Sequence, residues 1–427
     1  MRSPDRKTQP RMSPVGIDEI PEAEVFSLKN QVPVFFIEAG SEELMKIDFI
    51  FRAGQVAESM PLQASTVNMM LVEGSQNYTA ESLNKTLDYY GTFLNLNSER
   101  DSAGITIFFL NKHLEKILEL CREILFRPVF PENELNTLLK KRRQWYLINR
   151  EKVHNLASDQ FFESIFGHNH PYGRQTDLQD FERLTPALLQ QFHNRYYNPN
   201  KMAVIVSGKI HPDTKELLNI YFGESSYYIK ENEKISSPLI SEKEKKVFIE
   251  KKGAIQSAIR IGSTTIDKRH SDYHGLKILD AILGGYFGSR LMKNIREEKG
   301  YTYGISSSVI SFELSGYKVI AAEVGKKYTR KTLDEVYKEI SILQKIPVET
   351  EELEVVRNIM SGEMVRMFDG PFSIADSFRA VWEFGLSNSY YYELARKIKT
   401  IEPDEIIHLA KTYYNIDELY EIIAGSK

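Results

Sequence analysis

The side chains best suited to hold a metal or to attack a substrate are few in this sequence: nine histidines and a single cysteine. His168 and His170 resemble a short metal-binding tract, but residues two apart cannot share one helix face, and Pro171-Tyr172-Gly173 marks a loop directly after them. His270 and His274 lie four apart, a spacing that would let both bind one ion from a helix. Neither pair has a third ligand close by, so both are expected to be solvated or capping histidines. Gly284-Gly285-x-x-Gly288 has the glycines of a phosphate loop. Such loops follow a strand and open a helix, whereas Leu276, Leu279, Ile282 and Leu283 before it have helical spacing. A turn that lets two elements approach closely is the better reading. Cys121, in the segment around Leu114 to Leu120, is expected to be a buried thiol and not a nucleophile.

A chain of 427 residues is too long for one hydrophobic core, so two or more domains are expected. Apolar residues at 42% and charged residues at 27% are ordinary for a globular protein. A net charge of −4 argues against nucleic-acid binding, which usually shows a basic excess. No apolar run reaches the length of about 18 residues that suggests a membrane span. A lone cysteine can form no internal disulfide, which suits a reducing compartment. The segment Met1 to Gly16 is basic, with Pro4, Pro10 and Pro14 that would break an amphipathic targeting helix. Residues 1–20 are therefore expected to form a disordered tail, and the cytoplasm is the expected location.

The elements that would position any chemistry occur twice. Tyr196-Tyr197-Asn198 precedes the apolar strand Ala203-Val204-Ile205-Val206, and Tyr413-Tyr414-Asn415 precedes Leu419-Tyr420-Glu421-Ile422-Ile423, both at an offset of 217 residues. Lys46 to Phe51 and Ser257 to Ile261 alternate as strands do. Each half also has a hairpin-like pair, Phe93 to Asn97 with Gly104 to Leu110 and Ser306 to Glu313 with Tyr317 to Val324. Strands and helices without strict β-α-β alternation predict an α+β fold of two duplicated domains, each a mostly antiparallel sheet with helices on one face. The expected boundaries are 21–226 and 253–427, joined by a charged linker at 227–252 that contains Glu242-Lys243-Glu244-Lys245-Lys246.

The run Leu283-Gly284-Gly285-Tyr286-Phe287-Gly288-Ser289-Arg290-Leu291, followed by Ile295-Arg296-Glu297-Glu298-Lys299-Gly300-Tyr301-Thr302-Tyr303, resembles the C-terminal-domain signature of the pitrilysin/insulinase metallopeptidases. Mitochondrial processing peptidase and the two-domain bacterial peptidases belong to that family. Phe51-Arg52-Ala53-Gly54 and His170-Pro171-Tyr172-Gly173-Arg174 support the likeness, which extends from about Val25 to Gly425. The resemblance implies a zinc site built on an inverted H-x-x-E-H helix, with a further glutamate on a later helix. This chain has no H-x-x-E-H. Counting from Gly74-Ser75 places the motif positions on Ser65, Asn68 and Met69. Counting from Phe130-Pro131-Glu132 places the distal glutamates on Leu138 and Trp145, with Glu151 two turns away a poor substitute. No zinc is expected here, since serine and methionine are poor ligands and a neutral amide cannot act as the base.

The resemblance also implies that Arg296 and Tyr303 reach a substrate near its scissile bond. Both are hydrogen-bond donors able to stabilise a carbonyl oxygen that gains negative charge. Their spacing predicts a helix that stops at Gly300 and a strand that begins by Tyr303. Among two-subunit bacterial members, one subunit carries zinc and the other supplies this pair. The chain is thus expected to be an inactive homologue alone. With a homologous zinc-bearing partner it would be the non-catalytic, substrate-clamping subunit of a heterodimeric endopeptidase acting on peptides or unfolded segments. The alternative is a structural or peptide-binding relative with no peptidase role.

Overall fold

The structure is a computed structural model, and it describes residues 19–223 and 244–426. Six strands form the first sheet: β1 (Glu24–Ser27), β2 (Pro33–Glu38), β3 (Leu44–Phe51), β4 (Phe93–Ser98), β5 (Ala103–Leu110) and β6 (Met202–Gly208). Five form the second: β7 (Lys246–Glu250), β8 (Gln256–Thr265), β9 (Thr302–Ser311), β10 (Gly316–Gly325) and β11 (Tyr420–Gly425). Their orders, β1-β2-β6-β3-β5-β4 and β7-β11-β8-β10-β9, match strand for strand once the extra hairpin strand β1 is set aside. In each sheet one pair is parallel, β2 with β6 and β7 with β11, and every other pair is antiparallel. The internal repeat is therefore a duplication of topology.

Strand β7 corrects one expectation, because it lies inside the segment assigned to the linker. Its sequence Lys-Val-Phe-Ile-Glu alternates exposed and half-buried positions. A short edge strand needs only one apolar face, and charged ends keep such an edge from pairing with other chains, so a strand here passes for a solvated charge run. The rest of the expected linker up to residue 243, and the expected tail apart from Glu19 and Ile20, lie outside the described residues.

Alternation along the strands sends side chains to two faces, and both faces are covered. In the first sheet Met45, Ile47, Phe49 and Phe51 of β3 join that half's own helices in one core. Phe35, Ile37, Ile50, Ala203 and Ile205 point the other way and receive Ile374 and Ala375. Those two belong to a helix of the second half, Pro371–Trp382. The exchange is reciprocal. Helix Val153–Phe166 of the first half lays Ala157, Phe161 and Ile165, spaced by four, on Ala258, Tyr420, Ile422 and Ala424 of the second sheet. A Cβ at Gly262 would lie 1.9 Å from the Lys318 carbonyl oxygen and 3.0 Å from the Phe161 ring, so β8 needs a glycine where this helix docks. Each half's own helices sit on one face of its sheet, as expected, and the opposite face is closed by a helix exchanged between halves.

Candidate functional site

We label three helices: α1 is Gln63–Met70, α2 is Glu132–Asn149 and α3 is Val153–Phe166. Chain entry into α1 is unusual, because Leu62 holds a left-handed backbone with φ 71°, a conformation rare for a bulky residue. Asn68 turns inward and is 1% exposed. Its Nδ2 donates to the Gly104 carbonyl at 2.9 Å and to the Tyr197 hydroxyl at 3.1 Å. Met69 points outward, 40% exposed. Ser65 donates to the Leu62 carbonyl at 3.2 Å.

The residue that completes this place was not anticipated from the sequence. Arg142 of α2 extends to α1 and donates from Nη1 to Thr66 Oγ1 at 2.5 Å and from Nη2 to Ser65 Oγ at 2.8 Å. It lies four residues after Leu138 and three before Trp145, on the face that carries both distal positions, and that spacing was the available signal. A guanidinium, fixed by hydroxyls, thus occupies the space between the helices where a zinc shell is implied. Burial pulls its pKa below the usual guanidinium value, while the charge of Glu58 opposes this. Serine, asparagine and methionine on α1, with a cation between the helices, do not fit a zinc ion. Among the described residues no cluster of three His, Cys, Asp or Glu side chains could hold a metal.

The remaining candidates separate. His168 faces Glu163 at 3.2 Å, whereas His170 is buried against Phe166 and accepts the Tyr172 N–H. His270 accepts the Asp272 N–H at 3.1 Å, a local cap, and His274 packs on Tyr390. Cys121 is buried, which pushes its thiol pKa up. Glu151 pairs with Lys251 of the second half. Trp145 stands 69% exposed at the mouth of a cavity of about 750 Å³ beside α1 and α2.

Arg296 and Tyr303 share a second concavity of about 540 Å³. Arg296 is carried on the helical segment Met292–Glu298, its guanidinium 4.3 Å from the Phe287 ring centroid. The chain then reverses at Gly300, φ 63°, and enters β9. Between β9 and β10 the register jumps from Ile305↔Ala322 to Thr302↔Val324. Tyr303 and Gly304 thus stand opposite Glu323 alone, a β-bulge that re-aims side chains. Thr302 Oγ1 secures it by hydrogen-bonding to the Glu323 carbonyl at 2.6 Å. Tyr303 is 93% exposed. Gly284 lets the preceding helical turns approach β9, since a Cβ there would lie 2.5 Å from the Ser307 nitrogen. Helix α3 touches both places, since its His154 lies 3.8 Å from Glu323, which lines the Arg296/Tyr303 concavity. Asn155 and Asp159 line the first. Ser158 Oγ and the His154 carbonyl of α3 accept from Arg260 of β8, at 3.2 and 3.4 Å.

Two family models match the chain. The insulinase (peptidase family M16) model covers residues 53–176 and the peptidase M16 inactive-domain model covers 183–360. The chain belongs to the pitrilysin/insulinase family. It is 23% identical to the "Non-peptidase homolog YmxG" of Helicobacter pylori over 414 residues, 93% of this chain and 92% of that protein. The "Uncharacterized zinc protease YmxG" of Bacillus subtilis is 23% identical over 305 residues, 69% of this chain and 72% of the relative. "Zinc protease PqqE" of Helicobacter pylori is 22% identical over 295 residues, covering 66% and 65%. A crystal structure of a peptidase M16 inactive domain from Pseudomonas fluorescens superposes with a TM-score of 0.85 at 21% identity, over 95% of this chain and 98% of that one. The chain carries no H-x-x-E-H, and Ser65, Asn68 and Met69 are the positions that the resemblance assigns to that motif. No described helix is long and apolar enough to cross a membrane.

Proposed function

We propose that this chain is the non-catalytic, substrate-clamping subunit of a heterodimeric zinc endopeptidase that acts on peptides or unfolded segments in the cytoplasm. The observation that carries this reading is the state of the two poles. The positions that the resemblance assigns to the metal motif are tied up by internal hydrogen bonds and a guanidinium. The Arg296 guanidinium and the Tyr303 hydroxyl share one concavity, with no hydrogen bond to another described residue. Donors left free on an exposed bulge serve a group from outside the chain. That one organism has relatives named as a zinc protease and as a non-peptidase homologue supports division of labour between two such subunits. Zinc and the attacking water belong to the partner. Arg296 and Tyr303 supply donors to the substrate carbonyl as it becomes tetrahedral.

The test is co-expression with an H-x-x-E-H homologue from the same genome, followed by kinetics of the purified complex. Tyr303→Phe and Arg296→Ala should each assemble normally, keep the partner's zinc and lower kcat/KM by about 10²-fold, the loss typical of one oxyanion donor. Wild-type rates for both variants in an intact complex would refute the clamp and favour a purely structural subunit.

A further inference from the structure

The cavity beside the filled metal position is itself built as a binding site. Its volume of about 750 Å³ falls in the range of small-ligand pockets and is too small for a folded domain. Five cations line it, Arg100, Lys141, Arg142, Arg150 and Arg174, against one lining carboxylate, Asp159. Arg174 is matched by Glu58 at 3.4 Å, but its Nε is buried without a hydrogen-bond partner. Arg142 is the exceptional member. Both groups that hold it by hydrogen bonds are neutral hydroxyls, and Glu58, whose charge also reaches it, spends its oxygens on the Ala64 N–H and on Arg174. Two of its five N–H groups are engaged, which leaves donors for a planar anion.

The cations stand beside an apolar wall. Leu62, Met69, Leu138 and Trp145 line the same cavity, and Trp145 and Met69 are exposed although they are large and apolar. Helix residues 138, 142 and 145 share one face, so the apolar wall and the guanidinium are adjacent by construction. A ligand that satisfies both joins a carboxylate to an apolar group on one carbon. The last residue of a peptide has that form. Side-chain amides of Asn149 and Asn155 at the same cavity suit the hydrogen-bonding groups of a peptide backbone.

We propose that this cavity binds the C-terminal end of an extended peptide, its carboxylate on Arg142 and its last, apolar side chain against Trp145 and Leu138. The site lies within this chain and shares no residue with the Arg296/Tyr303 clamp, so it stands or falls independently of the partner subunit.

The experiment uses the full chain alone and fluorescence anisotropy of an N-terminally labelled apolar peptide ending in phenylalanine. Three probes are compared: the free carboxylate, the same peptide as its C-terminal amide, and the amide with one internal glutamate. The free carboxylate should bind at least tenfold more tightly than either amide. Trp145→Ala changes an exposed side chain and should weaken binding at least fivefold with the melting temperature unchanged. Arg142→Gln should abolish the preference for carboxylate over amide. If Arg142→Gln fails to fold, the amide probes and Trp145→Ala decide alone. Equal affinity for carboxylate and amide, full affinity in Trp145→Ala, or no binding at millimolar peptide overturns the proposal. Tight binding of the glutamate amide also overturns it, by assigning the cavity to acidic side chains.

Discussion

Asn68 gives the sharpest test of the claim that the old motif positions are now structural. Its amide bridges β5 and the Tyr197 side chain, donating to the Gly104 carbonyl and the Tyr197 hydroxyl at 2.9 and 3.1 Å. Tyr197 is fully buried, and its hydroxyl has no other hydrogen-bond partner among the described residues. Asn68→Leu keeps the branched shape and the number of side-chain heavy atoms and removes both donors. Two lost hydrogen bonds cost about 1 kcal/mol each, and stranding a buried hydroxyl adds about 1–3 kcal/mol. A loss of roughly 3–5 kcal/mol is expected, about 6–20 °C in Tm for a domain of this size. Ser65→Ala makes the control. It removes one acceptor from Arg142 but leaves Thr66, and should cost no more than about 1 kcal/mol. Differential scanning calorimetry of both variants is the assay. An Asn68→Leu protein that melts within 2 °C of wild type would mean that the amide clamps nothing, and the structural account of this position would fail.

Glu58 should make stability depend on pH. Burial pushes its carboxyl up to about 7, against the N–H of Ala64 and the charge of Arg174. Because the folded pKa lies above the ordinary value of 4.5, protonation favours the fold. This contribution is full below about pH 4.5 and is lost as pH rises through about 7, a swing of about 3 kcal/mol. Urea denaturation between pH 4.5 and 8 should show that decline, and Glu58→Gln should flatten it; an identical profile in the variant would place the titration elsewhere. Phe161→Ala should destabilise the second sheet by about 3–5 kcal/mol, although residue 161 belongs to the first half of the sequence. Calorimetry in which only a first-half transition shifts would contradict the exchanged helix packing.

Much of the architecture was legible in the chain itself. The repeat at a constant offset marks equivalent strands, and strands β6 and β11 end at Gly208 and Gly425 because alternation, apolar runs and turn residues are local properties. The stop at Gly300 between Arg296 and Tyr303 was readable for the same reason, since a left-handed turn after a helix is chiefly a glycine conformation. That no H-x-x-E-H string occurs needed only residue types. Strand β7 was not legible, because an edge strand of alternating charge and apolar residues has the composition of a linker.

Tertiary structure alone decided what Arg142 reaches and how the halves hold together. Arg142 is one basic residue in a basic stretch of α2, and although its spacing from Leu138 and Trp145 marks their shared face, Lys141 fits that spacing equally. Its meaning depends on Ser65 and Thr66, more than seventy residues earlier, arriving opposite it. The bulge at Tyr303 likewise exists only in the register between β9 and β10. The apolar stripe Ala157, Phe161, Ile165 announces a buried helix face, but not that the face would lie on the other half's sheet. Periodicity states that a face must leave water; which surface receives it is fixed by shape and by contacts between distant segments, which no local pattern encodes.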